Sequence, residues 1–420
     1  MKILIVNRFF GGAQIPTGRM AEDVARVLVE GGHEVTALAS TGTYSGAEKQ
    51  AQHGAWGIEH RVGGMRLEQV HVPKCMPRAV AWLWFTWQAR KRIPRMDWDV
   101  CVLMTDPPLL PLLVPRAKAA DGPRDHGTTG PQDAKRRVAV WLMDLYPEAL
   151  AASGRLSEGN PIYRWYFNKR QRALGASDLL LFLGETQKAL VEKREGEKVE
   201  RCEVVGGQEA DGTRQTKTMV VPPWDDRGNI ALATEESLRN LALYAGNLGE
   251  AHCFEEILAA VPFLPADWRI RFAVRGAKSA GLKAAANELK SPRNQEAKRL
   301  GAEVEVTGYA SEEETPRLLA SARVHLITMS PGWEGIVVPS KLYGCIRTGR
   351  PVLFVGPENA DTAREIRAND WGGVLPPGAS GELVAAAILK LAARPTREVR
   401  MQRGAVEVAR ELANLAGGDR

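Results

Sequence analysis

Four groups of residues have types and spacings suited to chemistry. The stretch Tyr244-Ala-Gly-Asn-Leu-Gly-Glu-Ala-His252 follows a short apolar run and precedes a helical pattern. Gly246 and Gly249, on either side of Asn247, let backbone amides approach a phosphate at a helix N-terminus, where the dipole favours anions. Arg275-Gly-Ala-Lys278 ends the next apolar run, so Arg275 and Lys278 bring cations within reach of the same anion. From Ser330 to Gly344 a Gly-rich turn, which includes Glu334, leads into Pro339-Ser340-Lys341-Leu-Tyr343. Pro suits a helix start, Ser340 can cap it, and Lys341 adds charge beside exposed N–H groups. This is an anion site that requires no metal.

The other groups lie earlier in the chain. Thr105-Asp106-Pro-Pro-Leu-Leu110 and Asp144-Leu-Tyr-Pro-Glu148 each follow an apolar run. Acids at such strand ends, Asp144 and Glu148 above all, can orient hydroxyl groups or act on a proton; they can equally cap helices. Thr17, Gly18 and Arg19 sit in a first loop that Gly11, Gly12 and Gly18 allow to close over a ligand. Arg78 to Arg95 combines Trp82, Trp84, Phe85 and Trp87 with Arg90, Lys91, Arg92 and Arg95. Aromatic anchors beside cations mark an interfacial helix that meets a membrane surface; the alternative is a helix packed on the first sheet.

The elements that must position these groups alternate between short apolar strands and helices, which predicts α/β layers with parallel sheets. Strands are expected at Lys2–Asn7, His33–Ala39, Glu68–Val72, Val100–Met104, Arg137–Leu142 and Asp178–Leu183, with a helix from Met20 to Glu30. Val221-Pro-Pro-Trp224 interrupts the pattern. A second series follows, with strands at Leu241–Tyr244, Ile270–Val274, Val304–Thr307, Val324–Ile327 and Val352–Val355 and helices at Phe254–Ala260 and Glu312–Ala322. The stretches Ala119–Lys135 and Gly206–Thr218 read as exposed loops. Hence two Rossmann-like domains facing a cleft are expected, 1–219 and 220–395, with a helical tail over 396–420 packing back on either. Ligands of such sheets sit beyond the carboxyl ends of the strands.

The chain has 420 residues, 44% of them apolar and 25% charged, with a formal charge of +6. That composition excludes extensive disorder, and the dispersed basic residues do not suit nucleic acid. Five cysteines lie far apart with no metal-ligand spacing, which argues for a reducing compartment. Neither Gly loop carries the dinucleotide fingerprint, which argues against a nicotinamide dehydrogenase. With no cleavable leader and no spanning segment expected, the reading is a cytoplasmic protein able to work at the inner face of the membrane.

On the residues NRFFGGAQIPTGR, TDPPLL, WLMDLYPE, VVPPW, YAGNLGEAH, VPSKLYG and TGRPVLFVG, the sequence resembles the family 4 glycosyltransferases of the GT-B fold. It is most similar to their bacterial surface-polysaccharide branch, and the similarity runs over nearly the whole chain. The resemblance implies sugar transfer from a nucleotide-sugar, UDP-linked by preference, with anomeric retention, to a saccharide or polyprenyl-linked acceptor. It implies no cofactor. It places Asp361 on the donor's ribose or sugar hydroxyls. The chain departs from the wider family twice. The paired glutamates map to Gly344 and near Ile336, leaving Glu334 as the nearest acid, and the histidine ahead of the Asp motif is absent, leaving Met143-Asp144. A nucleotide-sugar epimerase of the same fold and a relative that binds without turnover are the alternatives.

Overall fold

The computed structural model describes residues 1–10, 15–41, 59–62, 64–73, 75–119, 136–199, 216–225, 230–236, 238–290, 301–311, 313–399 and 404–417. Gly11, Gly12 and most of the two expected loops lie outside them.

By contacts the chain forms two compact units. The first comprises residues 1–151, 156–223 and 403–420, the second 152–155 and 224–402. In unit 1 the strands are β1 (Lys2–Val6), β2 (Glu34–Ser40), β3 (Glu59–Val62), β4 (Met65–Val70), β5 (Val100–Met104), β6 (Arg137–Trp141), β7 (Leu179–Phe182) and β8 (Lys217–Val220). They form one sheet in the order β3-β4-β2-β1-β5-β6-β7-β8, parallel except where β3 meets β4. Its helices are α1 (Pro16–Glu30), α2 (Arg78–Arg92), α3 (Val114–Lys118), α4 (Glu148–Ala152), α5 (Pro161–Gly175) and α6 (Glu185–Val199). β5 and β7 are buried along their whole length, as are all but the first residues of β1 and β6. Unbroken apolar runs are what a parallel sheet covered on both faces requires.

Unit 2 holds β9 (Arg239–Asn247), β10 (Arg269–Arg275), β11 (Glu303–Thr307), β12 (Ala322–Thr328), β13 (Val352–Val355) and β14 (Gly372–Leu375), in the order β11-β10-β9-β12-β13-β14, all parallel. Its helices are α7 (Glu255–Ala259), α8 (Ser279–Leu289), α9 (Glu314–Ala320), α10 (Lys341–Ile346), α11 (Asp361–Ala368) and α12 (Gly381–Ala392). Tyr244, Ile257, Phe272, Leu326 and Ile388 belong to its core. The last helix, α13 (Gly404–Gly417), belongs to unit 1, where it packs on α1 and Glu411 pairs with Lys217.

Several expected boundaries move. Pro16 starts α1 four residues early, because its ring fixes φ for a first helical turn. Thr17, Gly18 and Arg19 therefore stand in that turn rather than in a loop, with Gly18 packed so closely on Phe9 that a Cβ would lie 3.2 Å from it. β4 begins at Met65, three residues before its expected start. β8 takes Lys217 and Thr218 from a stretch read as loop. β14 was not expected, since GGVL lacks an apolar run; a Cβ at Gly372 would lie 1.8 Å from the Val352 carbonyl oxygen, so the close approach of β13 and β14 requires glycine.

His325 on β12 is fully buried. Thr348 Oγ1 donates to the Cys345 carbonyl at 2.7 Å, so it accepts from His325 Nε2 at 3.0 Å, and the ring is neutral. Burial, then the Arg350 charge, lowers its pKa to about 3. The folded value lies below the unfolded one, so the unfolded chain binds a proton that the folded chain refuses. Stability should therefore fall as pH drops from about 6.5 towards 3, by at most about 1.4 kcal/mol per pH unit. Urea midpoints measured at pH 7.5 and 5 check this: a His325→Asn variant should lose less between the two than the wild type, and parallel losses would exclude it.

Candidate functional site

Each sheet has one place where the chain reverses its direction of travel, and ligands of doubly wound sheets bind there. In unit 2 it lies between β9 and β12. Gly246 and Asn247 end β9, and Thr328 ends β12. Gly246 has φ +136°, a left-handed value suited to glycine. A Cβ there would lie 3.5 Å from Lys341 Cε, so the bare backbone leaves room for that side chain.

Lys341 Nζ lies 2.6 Å from Tyr244 Oη, 3.0 Å from the Asn247 carbonyl and 3.4 Å from His252 Nε2, over the Tyr244 ring. Burial of the ammonium, the dominant effect, lowers its pKa to about 7, while Cys345 pulls weakly the other way. The side chain is only half-buried by exposed area, so solvent screens part of that effect. Among the described residues no carboxylate lies within ion-pair distance of Lys341. A desolvated cation held by neutral acceptors alone has the chemistry to receive an anion.

His252 organises the cluster. A carbonyl only accepts, so His252 Nδ1–H donates to Thr328 O at 2.5 Å, and Nε2 is left to accept from Lys341. Burial, then Lys341, pushes the imidazole well below its ordinary pKa and keeps it neutral. Its own carbonyl accepts from Lys278 Nζ at 2.5 Å. Lys278 is thus tied to the loop, and the Arg275 guanidinium lies over the Tyr309 ring at 4.2 Å.

Two expected features of this site are corrected. The helix after the Gly loop, α7, has five residues and opens with Glu255 and Glu256; Glu255 already accepts from the Phe254 N–H. A short helix headed by two carboxylates does not attract an anion, which leaves Lys341 and the loop as the candidate anion-binding groups. Ser340 stands before α10 without a side-chain capping bond, and Pro339 precedes it. Glu334 lies half-buried in the turn before α10. Asp361 opens α11; burial first, then Glu365 and Asp361, raises the pKa of Tyr343 well above its ordinary value.

In unit 1 the reversal lies between β1 and β5. Arg8, just past β1, donates its backbone N–H to the Asp106 carbonyl at 2.7 Å and pairs through Nε with Asp106 Oδ1 at 3.2 Å. Thr105 is buried and accepts the Met143 N–H at 2.8 Å, joining the ends of β5 and β6. The Asp144 carboxyl is shifted upward, first by surrounding protein and then by Asp106, against the pull of Arg78. Its side chain is exposed by area, so solvent screens part of that upward shift. Burial likewise raises Asp106, against Arg8 and Arg78. Two carboxylates and two guanidiniums thus meet at this sheet end.

Glu148, expected to face a ligand, is instead enclosed with Arg170. Their side chains are 1% and 2% exposed, and Arg170 donates to both carboxylate oxygens at 2.6 and 2.8 Å. Arg170 also donates to the Tyr146 carbonyl at 2.6 Å, which holds the turn that carries Asp144. In α2, Phe85 is fully buried and cannot face a membrane. Trp82 packs edge-on against Tyr146, and Trp84 donates to the His71 carbonyl. Trp87 is exposed with Arg90 and Lys91, whereas Arg92 is half-buried and donates to the Gln69 carbonyl at 3.4 Å. Sequence reasoning gave no role to His252, Tyr244, Thr328, Arg8 or Arg78; the signal for His252 was its place at the end of the Gly loop.

No family model and no curated protein sequence matches the chain. Solved structures do. A structure of E. coli trehalose-6-phosphate bound with UDP-2-fluoro glucose aligns with a TM-score of 0.60 at 10% identity, over 99% of this chain and 95% of that one. WaaG, a glycosyltransferase involved in lipopolysaccharide biosynthesis, aligns at 0.55 and 14% identity, over 100% and 96%. Anabaena Alr3699/HepE in complex with UDP and glucose aligns at 0.58 and 12%, over 99% and 96%. Over its whole length, then, the chain has the GT-B fold of two Rossmann-like units.

Proposed function

We propose that the protein is a glycosyltransferase that moves a sugar, with anomeric retention, from a nucleotide-sugar to a saccharide or lipid-linked saccharide in cell-surface polysaccharide synthesis. The observation that carries this is Lys341, an ammonium held at the reversal point of unit 2 by Tyr244, Asn247 and His252 with no carboxylate partner among the described residues. A nucleoside diphosphate supplies the missing anion. Its negative charge grows as the sugar leaves, and a preplaced cation stabilises that change. Structural neighbours bound to UDP-2-fluoro glucose and to UDP with glucose favour a UDP-sugar donor. In unit 1, Asp144 and Asp106 orient acceptor hydroxyls or handle the acceptor proton, with Arg8 and Arg78 holding the pair.

The reaction needs no metal in this reading, because Lys341 does the work of a bridging cation. Saturating EDTA should leave activity unchanged, and its abolition would reject the assignment. Donor specificity is read from thermal shifts with UDP-, GDP-, dTDP- and ADP-sugars, since a ligand of the native state raises Tm by mass action. The UDP-sugar should give the largest shift; no shift with any of them would overturn the donor site. Release of nucleoside diphosphate only when acceptor is added separates a transferase from an epimerase.

Donor affinity should also depend on pH. Because the free Lys341 ammonium is held low, it must regain its proton to meet the diphosphate. Donor Kd should therefore weaken above pH 7, by at most about tenfold per unit. Calorimetry in two buffers of different ionisation enthalpy should show proton uptake on binding at pH 8; none would exclude this role.

Membrane contact is part of the proposal, through the outward face of α2. That face consists of Val80, Leu83 and Trp87, followed by Arg90 and Lys91, with the Lys91 ammonium 3.4 Å from the Trp87 ring centroid. The protein would then work on the inner membrane surface, where lipid-linked acceptors present their saccharides.

A further inference from the structure

Helix α5 carries large apolar side chains in solvent that the donor and acceptor sites do not use. Ile162 is 67% exposed and Trp165 56%. Tyr163, Tyr166, Phe167, Arg170 and Leu174 bury the opposite face, with the helix packed on α3 and the 3₁₀ turn Leu110–Leu113, and its outward face is free of the core. Along that outward face Ile162, Trp165, Lys169 and Arg172 follow at steps of three, four and three, which puts them on one stripe. Arg164 is exposed beside it, and no acidic residue occurs anywhere in Pro161–Gly175.

The stripe repeats what α2 presents. Val80, Leu83, Trp87 and Arg90 follow at the same steps, with Lys91 alongside, and Arg78–Arg92 also lacks any acid. Along both stripes the apolar residues come first and the cations last. Both helices cross between parallel strands in the same direction along the sheet, β4 to β5 and β6 to β7, so right-handed crossover places them on the same side. Contacts agree: α3 touches α5 and also the short 3₁₀ turn Ile93–Arg95 that continues α2, and Tyr146 meets both Trp82 and Arg170. Crossover helices begin at the carboxyl ends of the strands. Both apolar halves therefore lie towards the edge of unit 1 that carries Asp106 and Asp144.

We infer that α5 and α2 together form one docking surface for an anionic lipid bilayer, with Ile162 and Trp165 entering beside Leu83 and Trp87 while Arg164, Lys169, Arg172, Arg90 and Lys91 meet lipid phosphates. Charge decides the occupant. Two acid-free helices showing apolar tips and basic ends match an anionic interface, where apolar area and cations contribute together. The inference rests on the proposed membrane contact of α2 and adds the residues that give it a second point of attachment. It also sets the acceptor end of unit 1 towards the lipid.

The test is co-sedimentation of the full chain with vesicles of phosphatidylcholine alone and of phosphatidylcholine with one third phosphatidylglycerol. Wild type should bind the anionic vesicles and only weakly the neutral ones. Ile162→Ser/Trp165→Ser should lower the partition coefficient at least tenfold, as should Leu83→Ser/Trp87→Ser, and the four changes together should lower it further. Lys169→Gln/Arg172→Gln, which leaves the apolar tips, should lose the preference for anionic vesicles. An α5 variant of unchanged Tm that binds like wild type overturns the inference, as does Trp165-dependent self-association in sedimentation velocity without vesicle binding. Nucleotide-sugar binding should be the same in wild type and α5 variants. If wild type binds vesicles but no nucleotide-sugar, the glycosyltransferase reading fails and the docking surface stands.

Discussion

Lys341→Ala should lower kcat/KM for the nucleotide-sugar roughly tenfold to a few hundredfold, with little change in Tm. The range follows from about 1.5–3 kcal/mol for each charged hydrogen bond to the diphosphate. The loss should fall on kcat as well as on donor affinity, because charge on the leaving group grows towards the transition state. Stability should hardly change, since the side chain removed is a desolvated cation with no carboxylate partner among the described residues. His252→Asn refines the point. An Asn amide can still donate to the Thr328 carbonyl but offers nothing at the Nε2 position, so it should keep the fold and share part of the kinetic loss. Near-normal kinetics in Lys341→Ala would remove the foundation of the proposed donor site.

Glu148→Ala should unfold the protein far more readily, at a cost of about 3–5 kcal/mol, because it strands the enclosed Arg170 charge. Asp144→Asn should do the opposite: near-normal denaturation midpoints with much reduced transfer. The two acids are four residues apart in one sequence motif, yet one is sealed against Arg170 and the other is exposed. Measuring both variants for stability and turnover separates the roles. If Glu148→Ala is as stable as wild type and specifically inactive, the enclosed ion pair is not what holds this turn.

That contrast also shows how much can be read from the chain. The strands of both sheet centres were legible because parallel strands covered on both faces are written as unbroken apolar runs, as in KILIV and VCVLM. β14 was not, because its Gly372-Gly373 pair serves a close backbone approach that leaves no hydrophobic signature. Lys341 and the Gly246–Gly249 loop were legible from glycines beside a helix start. The Glu148–Arg170 pair was not, since its members are 22 residues apart and only the packing of α5 joins them. Burial on α2 followed the same logic: the sequence shows four aromatic rings, and only the helix's seating decides that Phe85 faces inward while Trp87 faces out.

The return of α13 to unit 1 bears on how the chain is made. Unit 2 from Trp224 onward is an uninterrupted run, whereas unit 1 is completed by residues that follow it. Val408 and Leu412 are fully buried in unit 1, and α13 lies against α1, β5 and β6. Until α13 has emerged from the ribosome, α1 keeps an uncovered apolar strip. The order of maturation should thus invert the usual amino-to-carboxyl sequence. The later-translated unit can reach its native state first, and the earlier one must wait, exposed to chaperones and proteases, for its closing helix.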